Sequence, residues 1–249
     1  MKKLLLLVVV VVVLAAGALA LLNFVFDKER TKTHTVSGEV TEIVVKSQSG
    51  DVDLVPGGDQ VEVRETQHYV FDKPKLERDV SGGVLTLESD CSAKLALKCY
   101  SDLRVTVPAG IKVTVKADSG DVDARAIDVR NAHLESDSGD VRLDLVGRQT
   151  LAWAHADSGD VEVVTRDAQA IDAQTDSGDV DVDADGAPRK IVAITDSGDV
   201  DVALQAGPYA IDADSDSGDA LVEGLQRNDD APQSIQARTD SGDVKLRAR

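Results

Sequence analysis

The tetrapeptide Asp176-Ser177-Gly178-Asp179 recurs almost unchanged through the second half of this 249-residue chain, and its spacing indicates the architecture. The seven copies begin at Asp118, Asp137, Asp157, Asp176, Asp196, Asp216 and Asp240. A looser copy, Gln48-Ser49-Gly50-Asp51, stands far upstream. A period of about 20 residues indicates a repeat architecture, in which one unit buries its apolar face only by stacking on its neighbours.

Residues on both sides of each turn alternate between apolar and polar. Two positions after the glycine, every unit has valine except the one with Ala220. Five positions before it, the later units have alanine, as at Ala173 and Ala193. Alternation with a period of two is typical of strands with one buried face. The small inner residues predict two β-layers that lie close together.

Two all-β topologies satisfy this pattern. In a parallel β-helix or β-solenoid, each unit of about 20 residues is one coil, and like residues stack on like. In an antiparallel β meander, Asp-Ser-Gly-Asp is a hairpin turn. Tight hairpins prefer Asn-Gly or a leading glycine, and near-identical units favour stacking, so the solenoid is our prediction and the meander its alternative. Right-handed winding is the default for parallel connections.

The N-terminal segment has a different composition from the rest of the chain. Two lysines precede an uncharged apolar run from Leu4 to Leu22, which Phe24-Val25-Phe26 extends. We interpret residues 1–26 as a transmembrane anchor, with a signal peptide cleaved near Ala18-Leu19-Ala20 as the alternative. The positive end stays inside the cell in either case. The chain is therefore predicted to be a single-pass protein of the cell membrane with its C-terminal domain extracellular, or a secreted protein if the signal is cleaved.

The rest of the chain is divided into a spacer, an irregular part and a part with regular repeats. Residues 27–32 read as a charged juxtamembrane spacer, and residues 33–249 read as one β-solenoid domain. Within that domain, residues 33–116 are irregular N-terminal coils and residues 117–249 carry the regular repeats. An open edge at the last coil, which ends at Arg247-Ala248-Arg249, would permit end-to-end association.

Composition narrows the possible partners. The net charge is −18, and residues 27–249 carry 45 acidic against 25 basic residues, or −20. Such a surface repels nucleic acid, so no nucleic-acid partner is predicted. Aromatic residues are only 3% of the chain, which is poor for a carbohydrate cleft. In an exported chain, Cys91 and Cys99 predict a disulfide, with two free thiols as the alternative.

The repeated aspartates have two interpretations. In the first they are turn residues, since Asp and Ser side chains bond nearby backbone and glycine adopts positive φ without strain. This interpretation needs no cofactor. In the second, stacking at about 4.8 Å aligns the carboxylates into two columns that bind calcium weakly at several sites. The candidate calcium ligands are Asp118, Asp121, Asp137, Asp140, Asp157, Asp160, Asp176, Asp179, Asp196, Asp199, Asp216 and Asp219.

The outward-facing residues before the turns vary more from unit to unit. Trp153 and His155 lie one coil from His133, and Val192 and Ile194 lie two coils further along. A tryptophan with such neighbours is either part of a contact patch or covered by a loop. We favour the loop.

Three functions compete. An apolar anchor, rigidity and repetition favour a structural or interaction module that contacts the cell wall or a protein partner. An envelope-stress sensor is the alternative, although only Met1 to Lys3 would lie inside the cell. A β-helix carbohydrate-active enzyme is the second alternative, but every coil carries the same acids, and no serine of the repeats has its own histidine. We therefore predict no enzymatic activity and assign no catalytic residue.

Several of these features together resemble one bacterial family. They are the Ser-Gly-Asp-Val units, the Val107-Pro108-Ala109-Gly110 step before the regular repeats, the Cys91 and Cys99 pair, and the N-terminal apolar segment. The family consists of β-strand-repeat envelope proteins with domain of unknown function 4097, often labelled adhesins. The resemblance covers the chain from Thr33 to its end. It implies a β-helix-like domain outside the cell membrane and brings no set of functional residues with it.

Overall fold

The computed structural model describes residues 28–91 and 98–249, which form an all-β domain. Its strands, in chain order, are β1 (Lys28–Thr35), β2 (Glu42–Ser47), β3 (Val52–Pro56), β4 (Glu62–Tyr69), β5 (Lys75–Ser81), β6 (Val84–Asp90), β7 (Cys99–Val107), β8 (Lys112–Ala117), β9 (Val122–Ile127), β10 (Asn131–Ser138), β11 (Val141–Ser158), β12 (Val161–Ser177), β13 (Val180–Ala184), β14 (Lys190–Ser197), β15 (Val200–Leu204), β16 (Pro208–Ser217), β17 (Ala220–Glu223), β18 (Gln226–Arg227), β19 (Ser234–Ser241) and β20 (Val244–Ala248). The predicted anchor, residues 1–26, lies outside the described residues. Within the described ranges, no helix has the length and apolar character that crossing a bilayer requires.

The strands form two parallel ladders, one before and one after the Ser-Gly-Asp turns. In spatial order, the first ladder contains β6, β2, β8, β10, the end of β11, the end of β12, β14, β19 and β16. The second contains β7, β3, β9, the start of β11, the start of β12, β13, β15, β20 and β17.

In these ladders, each residue of a repeat unit pairs with the equivalent residue of the neighbouring unit. Ile171 pairs with Ile191, and Ser177 pairs with Ser197, both in parallel strands. The repeats are therefore solenoid-like, and the antiparallel meander is wrong for them, because the turn leads the chain into the other ladder instead of reversing it. The right-handed winding stays a prediction.

The side chains between the two ladders form one apolar core. The inner residues Ala173, Ala193 and Val202 are fully buried, and Val182 is 2% exposed. Alanine and valine, the small residues of the inner columns, fill this space. Since side chains fill the interior, any recognition by this fold uses its outer faces, its turns or its ends.

The spatial order of the coils differs from the chain order at both ends of the stack. Strands β19 and β20 lie between the β14–β15 coil and the β16–β17 coil. At the other end, β2 and β3 lie between β6–β7 and β8–β9. Arg247 consequently pairs with Ala203 on one side and Glu223 on the other. The last coil of the chain, which ends at Arg247-Ala248-Arg249, is therefore not the end of the stack, because β15 and β17 flank β20.

Antiparallel strands close the N-terminal end of the stack. Strand β4 pairs with β7, β1 pairs with β4, and β5 pairs with β6. Because β1 begins at Lys28, residues 28–32 of the predicted spacer belong to the sheet, where they pair with β4 along one edge. Cys91 and Cys99 form the predicted disulfide, with 6.0 Å between their Cα atoms. We call β1, β4 and β5 the N-terminal cap.

Candidate functional site

The second aspartate of each turn belongs to a continuous hydrogen-bonded column, the aspartate ladder. Its backbone amide donates to Oδ1 of the aspartate in the preceding coil, as Asp179 does to Asp160 over 2.8 Å. In spatial order the aspartate ladder contains Asp102, Asp51, Asp121, Asp140, Asp160, Asp179, Asp199, Asp243 and Asp219. Each bond joins a charged acceptor to a backbone donor, and such bonds are stronger than neutral ones.

The glycine of each turn is required by its backbone and by its neighbour. Gly159 and Gly178 both have a φ of 139°. A Cβ atom at Gly178 would also overlap the carbonyl oxygen of Gly159 in the coil before it. Only glycine adopts this φ without strain and leaves room for so close an approach.

Hydroxyl side chains tie the same turns together. Thr175 Oγ1 donates to the carbonyl of Gly159 over 2.9 Å, and Thr195 Oγ1 donates to that of Gly178 over 2.9 Å. The same bond is made by Ser136, Ser215 and Thr239. Hydrogen bonds between stacked turns account for the second aspartate and the preceding hydroxyl, and backbone conformation and close approach account for the glycine, without a ligand.

The candidate calcium ligands lie at the turns as two columns, all exposed except the half-buried Asp137. The first-column residues Asp157, Asp176 and Asp196 are exposed. In the second column, one oxygen of each bonded carboxylate already accepts a backbone amide. Among the described residues, no group of three or more His, Cys, Asp or Glu side chains could hold a metal ion. Calcium binding at either column stays a prediction.

Arginine compensates part of a third acidic column, which lies on the outer face of the second ladder. Arg142 contacts Glu162, and Arg247 contacts Asp201. Asp181 lies between Glu162 and Asp201 in the sheet register. Burial, together with the charges of Asp201 and Glu162, raises the pKa of Asp181. Ion pairs between coils therefore offset part of the carboxylate repulsion on this face, and part of it remains at Asp181.

Two imidazole rings stack on Trp153 on the outer face of the first ladder. The ring centroids of His133 and Trp153 lie 3.5 Å apart with planes 8° apart, and those of Trp153 and His155 lie 3.6 Å apart at 27°. His133 and Trp153 meet because β10 and β11 pair in register, and His155 follows two residues later on the same face. We call these three half-buried residues the His-Trp-His stack. The imidazole rings, rather than the loop that we favoured, cover part of the indole.

Polar groups continue from this stack into the next coil. His155 Nε2 lies 2.9 Å from Asp172 Oδ1, and Gln174 Nε2 donates to the same oxygen over 2.6 Å. Burial acts to raise the pKa of Asp172, but the hydrogen bonds from His155 and Gln174 lower it on balance. Burial lowers the pKa of His133, against the opposing charge of Glu135. At neutral pH, His133 is therefore neutral and Asp172 is ionised.

A second histidine contact was not predicted from the sequence. His68 Nε2 lies 3.1 Å from Asp102 Oδ2, and its ring stacks on Tyr100 with 4.7 Å between centroids. Both contacts depend on the antiparallel pairing of β4 with β7. These strands lie in the irregular residues 33–116, where no repeated motif marked which strand pairs with which.

Comparison with known proteins identifies one family over nearly the whole chain. The family model described as Toastrack DUF4097 matches residues 16–247. No curated protein matches the chain.

Three solved structures are similar at low sequence identity. A "putative cell adhesion protein" from Clostridium sporogenes is 12% identical, with 89% of this chain and 100% of that chain covered and a TM-score of 0.45. A "putative adhesin" from Bacteroides fragilis is 14% identical, with 89% and 97% covered and a TM-score of 0.43. A "putative lipid binding protein" from Parabacteroides distasonis is 13% identical, with 87% and 96% covered and a TM-score of 0.43.

Proposed function

The chain belongs to the Toastrack DUF4097 family, and we propose that it is a non-enzymatic, adhesin-like interaction module tethered outside the cell membrane. The His-Trp-His stack carries this proposal. It places an indole and two imidazoles on the outer face of a parallel sheet, where the repeating pattern needs none of them for its core. The surface of the first ladder around Trp153 is the proposed contact face.

The proposed contact face is rigid. Strand β11, which carries Trp153, is paired with β10 on one side and β12 on the other. The aspartate ladder also joins the turns that follow these strands, as Asp160 does to Asp140 over 2.9 Å. A surface that is already ordered loses little conformational entropy when a partner binds. This favours recognition by a fixed face.

The chemistry of the face suits a protein or cell-wall partner. Aromatic residues are enriched among the side chains that contribute most to interfaces, where a polar rim surrounds them. Here Lys116 and Glu135 form a 2.7 Å ion pair on one flank of the stack, and Asp172 lies on the other. An indole between charged flanks matches that arrangement.

The tether is proposed from the sequence, with the fold setting its geometry. If residues 4–26 cross the bilayer, the N-terminal cap lies at the headgroups, because β1 already begins at Lys28. At a spacing of about 4.8 Å, the coils form a stack roughly 40 Å long. If residues 1–26 are instead cleaved as a signal, the same domain is secreted.

The proposal is tested by expressing the full chain in a non-adherent bacterial host. Protease treatment of intact cells reports whether the C-terminal domain is exposed, and attachment is measured on surfaces coated with purified peptidoglycan and with host-cell envelope protein. We expect attachment above that of cells with an empty vector, and a return to that background for Trp153→Ala. Gln236→Ala, on the same face several coils away, is the matched control and should attach like the wild type.

Two results would contradict the proposal. One is attachment no greater than the empty vector although the domain is exposed on intact cells. The other is equal attachment by the wild type and by a folded Trp153→Ala variant, which would remove the role of the stack. Thermal unfolding of each purified variant shows whether it is folded.

A further inference from the structure

The C-terminal end of the stack exposes residues that are buried in every other regular coil. Ala220 is exposed, and Val222 and Ala213 are half-buried. The residues that correspond to Ala220 are at most 1% exposed, namely Val52, Val122, Val141, Val161, Val180, Val200 and Val244. Leu221, at the same end, is 48% exposed. The β16–β17 coil therefore lacks the neighbour that covers each of the others.

The backbone at this end points towards the missing neighbour. In each ladder step, the valine after the turn donates to the next coil, as Val200 does to the carbonyl of Asp243 over 2.8 Å and Val244 to that of Asp219 over 2.9 Å. By the same register, the amide of Ala220 is directed beyond the last coil. In the described chain, only β18 continues the sheet there, and it covers only Pro208 and Tyr209. Most of the edge is thus an unpaired template for another strand.

The aspartate ladder is open at the same place. Asp219 donates its amide to Asp243 over 2.9 Å. No backbone amide from a further coil reaches the Asp219 carboxylate within residues 28–91 and 98–249. The carbonyl of Gly218 is likewise in the position at which the glycine carbonyls of other coils accept a hydroxyl. The edge therefore offers two acceptors in addition to its amides.

The edge coil is strongly acidic. Its outward-facing carboxylates are all exposed and are Asp212, Asp214, Asp216, Asp219 and Glu223. The coil that covers its other side supplies basic residues, since Arg238 contacts Asp212 and Arg247 pairs with Glu223 in register. An occupant with basic outward side chains and small apolar inward ones would match both the charge and the inner columns.

We infer that the open edge of β16 and β17 binds an extended strand-turn-strand segment of a partner protein, with basic residues facing outward and small apolar residues facing inward. Strand addition of this kind gains affinity from backbone hydrogen bonds and specificity from alternate side chains. Residues 234–249 show what such a segment looks like, because they already stack on β14 and β15 in this way. If a partner segment of the same sequence stacked on the open side of β16 and β17 in this register, its equivalent of Arg238 would lie opposite Asp214. Its equivalent of Arg247 would lie opposite Glu223.

A second copy of the chain fits the edge less well. Its N-terminal end presents β1 and β5, which lack a Ser-Gly-Asp turn to continue the aspartate ladder. Two C-terminal ends would bring two acidic edges together, which is unfavourable. The edge also differs in position and charge from the contact face around Trp153. The inference therefore does not depend on the proposed function.

The test uses the full chain in detergent and a fluorescent peptide with the sequence of residues 234–249. Fluorescence anisotropy measures binding. We expect saturable binding that is lost in Ala220→Lys, because a lysine there would occupy the space of the inner column. Glu223→Lys should weaken binding by about fivefold, and a peptide carrying Arg247→Glu should restore it in that variant. Asp157→Lys changes an exposed aspartate in the middle of the stack and is the matched control, expected to bind like the wild type.

Three results would overturn the inference. Absence of saturable binding would show that the edge is closed to strands of this chemistry. Unchanged binding by Ala220→Lys would place the peptide elsewhere, for example in exchange with β19 and β20. Self-association that rises with protein concentration and excludes the peptide would make a second copy the occupant. Trp153→Ala should leave peptide binding unchanged, so failure here is distinguishable from failure of the attachment experiment.

Discussion

The backbone amide of Asp243 donates a 2.8 Å hydrogen bond to the carboxylate of Asp199, 44 residues earlier in the chain. The turn at Asp219 lies between them in sequence but outside them in space, and its amide donates to Asp243 over 2.9 Å. This order places a basic segment between two acidic coils. The ion pair between Arg247 and Asp201 and that between Arg238 and Asp212 offset the repulsion that the acidic coils would otherwise experience.

The coil of β19 and β20 lies between the β14–β15 and β16–β17 coils, and this order predicts which engineered cysteines can be linked. Ser197 pairs directly with Ser241, so Ser197→Cys with Ser241→Cys should form a disulfide on mild oxidation. Ser197 and Ser217 are two coil steps apart, about 9.6 Å, which exceeds the span of a disulfide. Mass spectrometry of the digested, unreduced protein identifies the linked peptides. A disulfide between Ser197→Cys and Ser217→Cys, without one between Ser197→Cys and Ser241→Cys, would show that the coils stack in chain order.

Repetition explains how much of this fold the sequence predicts. Each inner column has the same or a similar residue in every unit, so the stacking of Ala173 on Ala193 can be predicted from the sequence alone. The same near-identity hides the order of the coils, because the turns at Gly218 and Gly242 are chemically almost equivalent partners for the coil of Gly198. Only the variable outward residues distinguish the two orders, and their ion pairs depend on side-chain placement.

The candidate contact face was partly predictable for the same reason. Counting from each glycine places His133 beside Trp153 in adjacent coils, as the register confirms. The counting does not indicate that the rings stack face to face, because a ring plane depends on side-chain torsion angles. The pairing of His68 with Asp102 was beyond this reasoning, since it joins antiparallel strands outside the repeats.

The aspartate ladder predicts different effects for two substitutions at Asp160. Its carboxylate accepts the Asp179 amide over 2.8 Å, and an alanine would remove that acceptor. Asp160→Ala should lower the free energy of unfolding by about 2 kcal/mol, whereas Asp160→Asn keeps an oxygen acceptor and should cost less than half as much. Urea denaturation measures both. Asp157→Ala, in the first column of the same turn, is the control and should change stability by less than about 0.5 kcal/mol.

The glycine column predicts a larger loss at Gly159. Alanine there would meet the carbonyl oxygen of Gly139 and would also have to adopt a φ of 139°. Gly159→Ala should lower the free energy of unfolding by roughly 3 kcal/mol or more, because strain and overlap act together. Gly58→Ala is the matched control, since an added Cβ at Gly58 meets nothing within 4 Å. A loss at Gly159 no larger than that at Gly58 would show that the stacked turns move apart easily.

The lowered pKa of His133 predicts a pH dependence of stability. Burial is the main cause, so the folded protein binds this proton less readily than the unfolded chain, in which imidazole titrates near pH 6.5. Stability from this residue is therefore present above about pH 6.5 and lost as the pH falls towards its folded pKa. Urea denaturation between pH 7.5 and 5.5 should show a smaller decline for His133→Gln than for the wild type.

His34, in the N-terminal cap, offers an independent test of the same effect. Burial, followed by the charge of Arg78, lowers the pKa of His34 as well, so His34→Gln should also reduce the decline. The two effects should add in the double variant, because the residues lie in separate parts of the stack. A decline unchanged in His133→Gln would show that the stack does not disfavour the imidazolium.

The acidic columns predict how cations act on the stack. Neighbouring carboxylates about 4.8 Å apart repel by roughly 0.9 kcal/mol in water, and salt screens that repulsion. Sodium chloride should therefore raise the melting temperature of the full chain in detergent. Calcium at matched ionic strength should add nothing further if the aspartates act only as turn residues, because Oδ1 of Asp160 and of its equivalents already accepts a backbone amide. A calcium-specific rise that EDTA reverses and Asp157→Asn reduces would instead make the exposed first column a set of weak calcium ligands, as the alternative interpretation of the repeats predicts.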